Sequence, residues 1–142
     1  MKLSILICSL VSRTELYRAL AKVLREQIDS LAAGDNVEVL ALTDNKEITT
    51  GSKRNKLLQK ATGDYIVYID DDDKVSSDYI KLLLENIAFA PDVIVFDAVR
   101  YHNGKFDRPV SYGIEYGHDS NTAARYFRIP NHLMCVKREL AL

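Results

Sequence analysis

The chain has 142 residues, 47% of them apolar and 27% charged, with a formal net charge of −1. That length suits one domain with a sizeable core, and the near-neutral balance gives no electrostatic case for nucleic acid or an anionic membrane surface. Cys8 and Cys135 lie far apart without metal-ligand spacing, which fits reduced thiols in a cytoplasmic protein better than a disulfide framework.

The opening "MKLSILICSLVS" imitates a secretion signal but lacks a small-residue cleavage site, so Leu3 to Cys8 reads as a first buried strand. No run approaches the roughly 20 apolar residues that span a bilayer. Ser12 and Glu15 have the spacing of a capping box. Leu16, Leu20, Val23, Leu24, Ile28 and Leu31 then recur as the inner face of a helix stopped by "AAGDN". Val37 to Leu42 predicts a second strand, "TDNKEITTGS" a loop, and "KRNKLLQKATG" a short helix closed by Gly63.

Tyr65 to Ile69 is β-branched and aromatic, a third strand. The next helix turns Ile80, Leu83, Leu84 and Ile87 inward, takes Ser76 or Ser77 as its cap and breaks at Pro91. "DVIVFDAV" predicts a fourth strand. Such alternation implies an α/β fold, a doubly wound, mostly parallel sheet with helices on both faces. Ligands then bind beyond the carboxyl ends of the strands. Ser9, Asp44, Asn45 and the aspartates after Ile69 all fall there. Later, "YHNGKF" carries an Asn-Gly hairpin turn and "HLMCVKREL" a strand entering a helix. One domain over 1–142 is expected, with a core over 1–99 and a further region over 100–142.

The third strand runs straight into Asp70, Asp71, Asp72 and Asp73. Four adjacent carboxylates repel one another, and burial increases that repulsion. In extended backbone Asp70 and Asp72 project to one side, and two hard oxygen ligands suit Mn²⁺ or Mg²⁺ shared with substrate phosphates. A calcium loop is excluded, since Val75 and Lys81 stand where it needs glycine and glutamate. Lys53 and Arg54 lie in the first turns of a helix, where free N–H groups and the dipole favour anions. Together these features predict a diphosphate site. His102, His118 and His132 lack zinc spacing, and Tyr112 and Tyr116 are hairpin tyrosines able to stack on a sugar.

The stretches "KLSILICSLVSR", "LTDN", "GSKRNKLLQKATGDYIVYIDDDDKVSSDYI" and "DVIVFDA" together resemble the family-2-like glycosyltransferases of GT-A fold, from Lys2 to about Ala98. The resemblance implies transfer of a sugar from a nucleoside-diphosphate donor, chiefly a UDP-sugar, to a saccharide or other acceptor hydroxyl with Mn²⁺ or Mg²⁺. It places Ser9 beside base and ribose, Asp44 on the base and Arg54 near the diphosphate. Asp70 and Asp72 match the DXD motif, with Asp72 the direct ligand and Asp70 or Asp71 nearer the ribose. The loop from Asp44 to Lys53 is shorter than in that family. "RIPNHLMCVKREL" resembles the family's acceptor-side segment, but the chain stops at Leu142 before the acidic motif that holds the base. No base is assigned, and a truncated enzyme or a non-catalytic nucleotide-sugar-binding remnant are both readings of that ending. Asp71-x-Asp73-x-Val75 also fits a haloacid-dehalogenase phosphatase motif, although such enzymes carry it on the first strand.

Overall fold

The computed structural model describes all of residues 1–142, in two compact units: residues 1–94 with 135–142, and residues 95–134. The first is built on a five-stranded sheet. Its strands are β1 (Leu3–Leu10), β2 (Val37–Asp44), β3 (Tyr65–Asp70), β4 (Val93–Ile94) and β9 (Cys135–Lys137), ordered β2-β1-β3-β9-β4. β1 pairs in parallel with β2 and β3, while β9 runs antiparallel to β3 and β4. β1 is buried through Leu3, Ile5, Leu6 and Ile7, and β3 through Tyr65, Ile66, Val67 and Ile69. That burial is why both read as nearly continuous apolar runs.

α1 (Thr14–Ser30) carries the chain from β1 to β2, and α2 (Thr50–Lys60) carries it back across β1 to β3. The two crossovers run in opposite directions along the sheet, so with the right-handed connection rule their helices fall on opposite faces. The reversal also opens a crevice at the carboxyl ends of β1 and β3.

Several local expectations are corrected. Ser12 and Glu15 form no capping box, because residues 11–13 wind into a 3₁₀ turn and α1 begins with no side-chain cap. Only Leu20, Leu24 and Gln27 are buried on α1, and Leu16, Val23 and Leu31 are exposed. Gln27 instead caps α3 (Tyr79–Ile87). Its Oε1 accepts the Ile80 N–H at 3.0 Å and its Nε2 donates to the Ser76 carbonyl at 2.8 Å, so no serine side chain caps that helix. α2 begins three residues earlier than predicted, capped by Thr49, whose Oγ1 accepts the Ser52 N–H at 3.2 Å. It ends before Gly63, which serves a close approach instead: a Cβ there would meet the Ser4 backbone nitrogen at 2.7 Å. "DVIVFDAV" splits, leaving a two-residue β4 in this sheet and sending Ala98 onward into the second unit.

At the amino ends of the strands, Glu38 Oε1 accepts from Ser4 Oγ (2.5 Å), the Thr62 N–H (2.6 Å) and Thr62 Oγ1 (3.0 Å). Burial alone would raise the Glu38 carboxyl, but these bonds and Lys2 outweigh it and bring it down to about 2. Since the folded value lies below the unfolded one, the stabilisation is complete above the ordinary carboxylate value and fades as pH falls towards about 2. Chemical denaturation of wild type and Glu38→Gln across pH 2–5 is expected to show a shallower acid decline in the variant. Parallel declines would remove Glu38 from the account.

The second unit holds a four-stranded sheet ordered β5-β6-β8-β7, from β5 (Ala98–His102), β6 (Lys105–Tyr112), β7 (Ser120–Asn121) and β8 (Tyr126–Arg128). The predicted hairpin joins β5 to β6, with Asn103 and Gly104 at φ 49° and 74° as its turn requires. Tyr126 is buried beneath the guanidinium groups of Arg100, Arg108 and Arg128, each within 5.1 Å of its ring centre. In the first unit, β9 leads into α4 (Arg138–Ala141), the predicted strand entering a helix. Cys8 is half-buried, Cys135 is buried, and both are free. No helix is long and apolar enough to cross a membrane.

Candidate functional site

The carboxyl ends of β1, β2 and β3 carry a connected set of charges. Lys53, in the first turn of α2, is 3% exposed. Its Nζ donates to the Ser9 carbonyl at 2.7 Å and lies against Asp44 Oδ1 at the end of β2. The Asp44 Oδ2 accepts the Ile48 N–H at 2.9 Å, which folds the short loop after β2 back onto its strand. The Lys53 ammonium holds the Asp44 carboxyl below the usual carboxylate range, against the opposing effect of burial.

Ser9, at 1% exposure, links this pair to the aspartate run. Its hydroxyl donates to Asp71 Oδ2 at 3.0 Å, and the Leu10 N–H donates to the same oxygen at 3.1 Å. The other Asp71 oxygen receives Arg13 Nη1 at 3.0 Å. Asp71 is 2% exposed, so its carboxylate is spent inside the protein. Arg13 Nη1 also stands 3.0 Å from Asp72 Oδ2, on a carboxylate that is about half exposed.

Arg54, one residue after Lys53, faces the crevice from the other side. Its Nη2 meets Asp70 Oδ1 at 3.2 Å. Tyr68 supports it, with the guanidinium 5.6 Å from the ring centre and the hydroxyl donating to the Arg54 carbonyl at 3.1 Å. Tyr68 and Asp70 alternate on one face of β3, which brings both to Arg54. The Arg54 Nε–H is buried without a hydrogen-bond partner, a donor aimed at nothing the chain provides.

Two points in the predicted chemistry change. The strand ends at Asp70, and the Asp73 N–H closes a turn on the Asp70 carbonyl at 3.0 Å, so strand alternation does not relate Asp70 to Asp72. The repulsion within the run is also partly met from inside, by Arg13 on Asp71 and Asp72 and by Arg54 on Asp70. Arg13, Tyr68 and Gln27 escaped sequence reasoning. For Arg13 the available signal was a lone arginine in the turn following the first strand, and for Tyr68 its place two residues before Asp70.

No group of three or more His, Cys, Asp or Glu side chains converges as a metal set. Asp70 and Asp72 each keep part-exposed carboxylate oxygens, the hard donor type that a Mg²⁺- or Mn²⁺-type ion takes.

Comparisons with known proteins bear on the family and the fold. The sequence profile of glycosyl transferase family 2 matches residues 21–137. The succinoglycan biosynthesis protein ExoM of Rhizobium meliloti (strain 1021) is 39% identical over 51 residues, which cover 36% of this chain and 16% of that protein. Among solved structures, S. aureus TarS 1-349 superposes with a TM-score of 0.60 at 15% identity, covering 99% of this chain and 48% of that one. TarS 1-349 in complex with UDP-GlcNAc gives 0.52 at 20% identity, covering 74% and 36%. The chain thus spans about half of that structure's length, and these likenesses establish a GT-A-like α/β fold. The phosphatase alternative suggested by Asp71 and Asp73 gives way to a profile match over most of the sequence. With sheet, crevice and profile in agreement, the chain belongs to glycosyl transferase family 2.

Proposed function

We propose that this chain binds the nucleoside diphosphate of a sugar donor, UDP-sugar before others, and serves transfer of the sugar to an acceptor hydroxyl. The observation that carries the reading is Arg54: a guanidinium at a helix start, braced by Tyr68 and Asp70, with a buried N–H left unpaired. A phosphate oxygen in the crevice would accept from the accessible part of this guanidinium, whose side chain is 25% exposed. The relative solved with UDP-GlcNAc supports the choice of nucleotide.

In this reading Asp44 meets the base at the end of β2, held charged and oriented by Lys53. Ser9 and Asp71 shape the wall beside the ribose, with Ser9 contributing backbone placement because its hydroxyl is taken by Asp71. Lys53 is a positioning residue: its ammonium ties the ends of β1 and β2 together from a buried position. Asp70 and Asp72 would hold Mn²⁺ or Mg²⁺. When bound, that ion neutralises the charge that develops on the leaving diphosphate. Transfer further requires a base within hydrogen-bond reach of the acceptor hydroxyl, and the ion pairs of Asp70, Asp71 and Asp72 commit them to the donor side.

Arg54→Ala tests the assignment. Loss of a charge-assisted bond of about 1.5–3 kcal/mol predicts about tenfold or greater weakening of UDP binding, with uridine binding unchanged. Calorimetric titration with both ligands reads the difference. Equal weakening of the two would make Arg54 a structural residue and remove the observation on which the function rests.

A further inference from the structure

We propose that Arg13 is a built-in counter-ion of the donor site, one that occupies Asp72 until a divalent ion and diphosphate displace it. The inference rests on the metal reading above and assigns that site its own internal competitor.

One guanidinium nitrogen, Arg13 Nη1, lies 3.0 Å from Asp71 Oδ1 and 3.0 Å from Asp72 Oδ2. The two contacts differ in kind. Asp71 is buried, with its other oxygen fixed by the Ser9 hydroxyl and the Leu10 N–H. Its bond to Arg13 is therefore an anchor. Asp72 is about half exposed and Arg13 itself is 43% exposed, so their bond is the weak, exchangeable one. The 3₁₀ turn after β1 delivers Arg13 to the strand-switch crevice.

Together Arg13 and Arg54 place two positive charges on Asp70, Asp71 and Asp72. The site thus holds its shape without metal, and an arriving cation meets an occupied carboxylate and a like charge. A diphosphate changes that balance, because it accepts the released guanidinium and shares the ion with Asp72. Metal alone then binds weakly, and metal and nucleotide promote one another's binding reciprocally.

The test is Arg13→Gln, titrated with Mn²⁺ alone, with UDP alone and with each in the presence of the other. Asp71 keeps two hydrogen-bond donors in this variant, and Arg13→Lys provides a second that keeps the charge but not the planar fork. Releasing an exposed ion pair predicts about two- to fivefold tighter Mn²⁺ binding in Arg13→Gln without nucleotide. Arg13→Lys falls between that variant and wild type, and the mutual enhancement by UDP shrinks in both. In melting experiments Mn²⁺ raises the midpoint of Arg13→Gln more than that of wild type, because the ion replaces the missing cation.

If wild type binds Mn²⁺ and both variants bind it equally or more weakly, Arg13 is a strut and the inference is overturned alone. If wild type binds no Mn²⁺ with or without UDP, the metal reading fails and takes this inference with it.

Discussion

Lys53→Met is expected to damage both stability and nucleotide binding. The side chain is 3% exposed, and its ammonium satisfies the Ser9 carbonyl while facing Asp44. Methionine nearly conserves volume but removes the charged donor to the Ser9 carbonyl, a bond of the kind worth about 1.5–3 kcal/mol. It also strips Asp44 of the charge that keeps its carboxyl low. The ends of β1 and β2 lose their tie, so a folded Lys53→Met protein should bind UDP and uridine alike more weakly. That pattern separates it from Arg54→Ala, which spares uridine. Urea denaturation and titration with both ligands check the two halves. Wild-type stability with selective loss of UDP would return Lys53 to the diphosphate, where its sequence position first placed it.

Asp72→Asn is expected to remove most of the metal-dependent part of UDP binding. Changing even groups that only support a metal's ligands costs about 10–100-fold in affinity, and a direct ligand costs as much or more. Asparagine keeps the shape and loses the charge, so binding in EDTA should match wild type. Since Asp72 is half exposed and tied only to Arg13, the substitution should leave the fold intact. Titrations in Mn²⁺ and in EDTA provide the check. An undiminished Mn²⁺ effect in Asp72→Asn would move the ion to other ligands.

Much of the first unit was legible because burial leaves a periodic mark. β1 and β3 lie inside the sheet and read as nearly continuous apolar runs, and their polar terminators mark the crevice. The hairpin at Asn103–Gly104 was legible for a different reason, since its backbone demands those residue types. Helix ends were less legible. Gln27 caps α3 across 53 residues, and no local pattern encodes such a partner. Leu16 and Val23 had helical spacing yet point outward, because periodicity defines a stripe wider than the strip that packs. In the site, residue types at strand ends suggested which charges gather there, but not how they divide. Asp71, Ser9 and Lys53 turn inward and hold the ends of three strands together. Arg54, Asp70 and Asp72 keep exposed surface. That division depends on the turn from Asp70 to Asp73, a local bend that a run of identical aspartates does not mark, and on Arg13 reaching from the β1 turn, a tertiary contact.

The most direct test is calorimetric titration of the 142-residue chain with UDP, in Mn²⁺ and again in EDTA. The account predicts saturable binding with Mn²⁺ and binding at least about tenfold weaker without it, in line with the cost of disturbing a metal's ligand set. Equal affinity in the two conditions would contradict the metal assignment, and no binding of UDP in either would contradict the donor site itself.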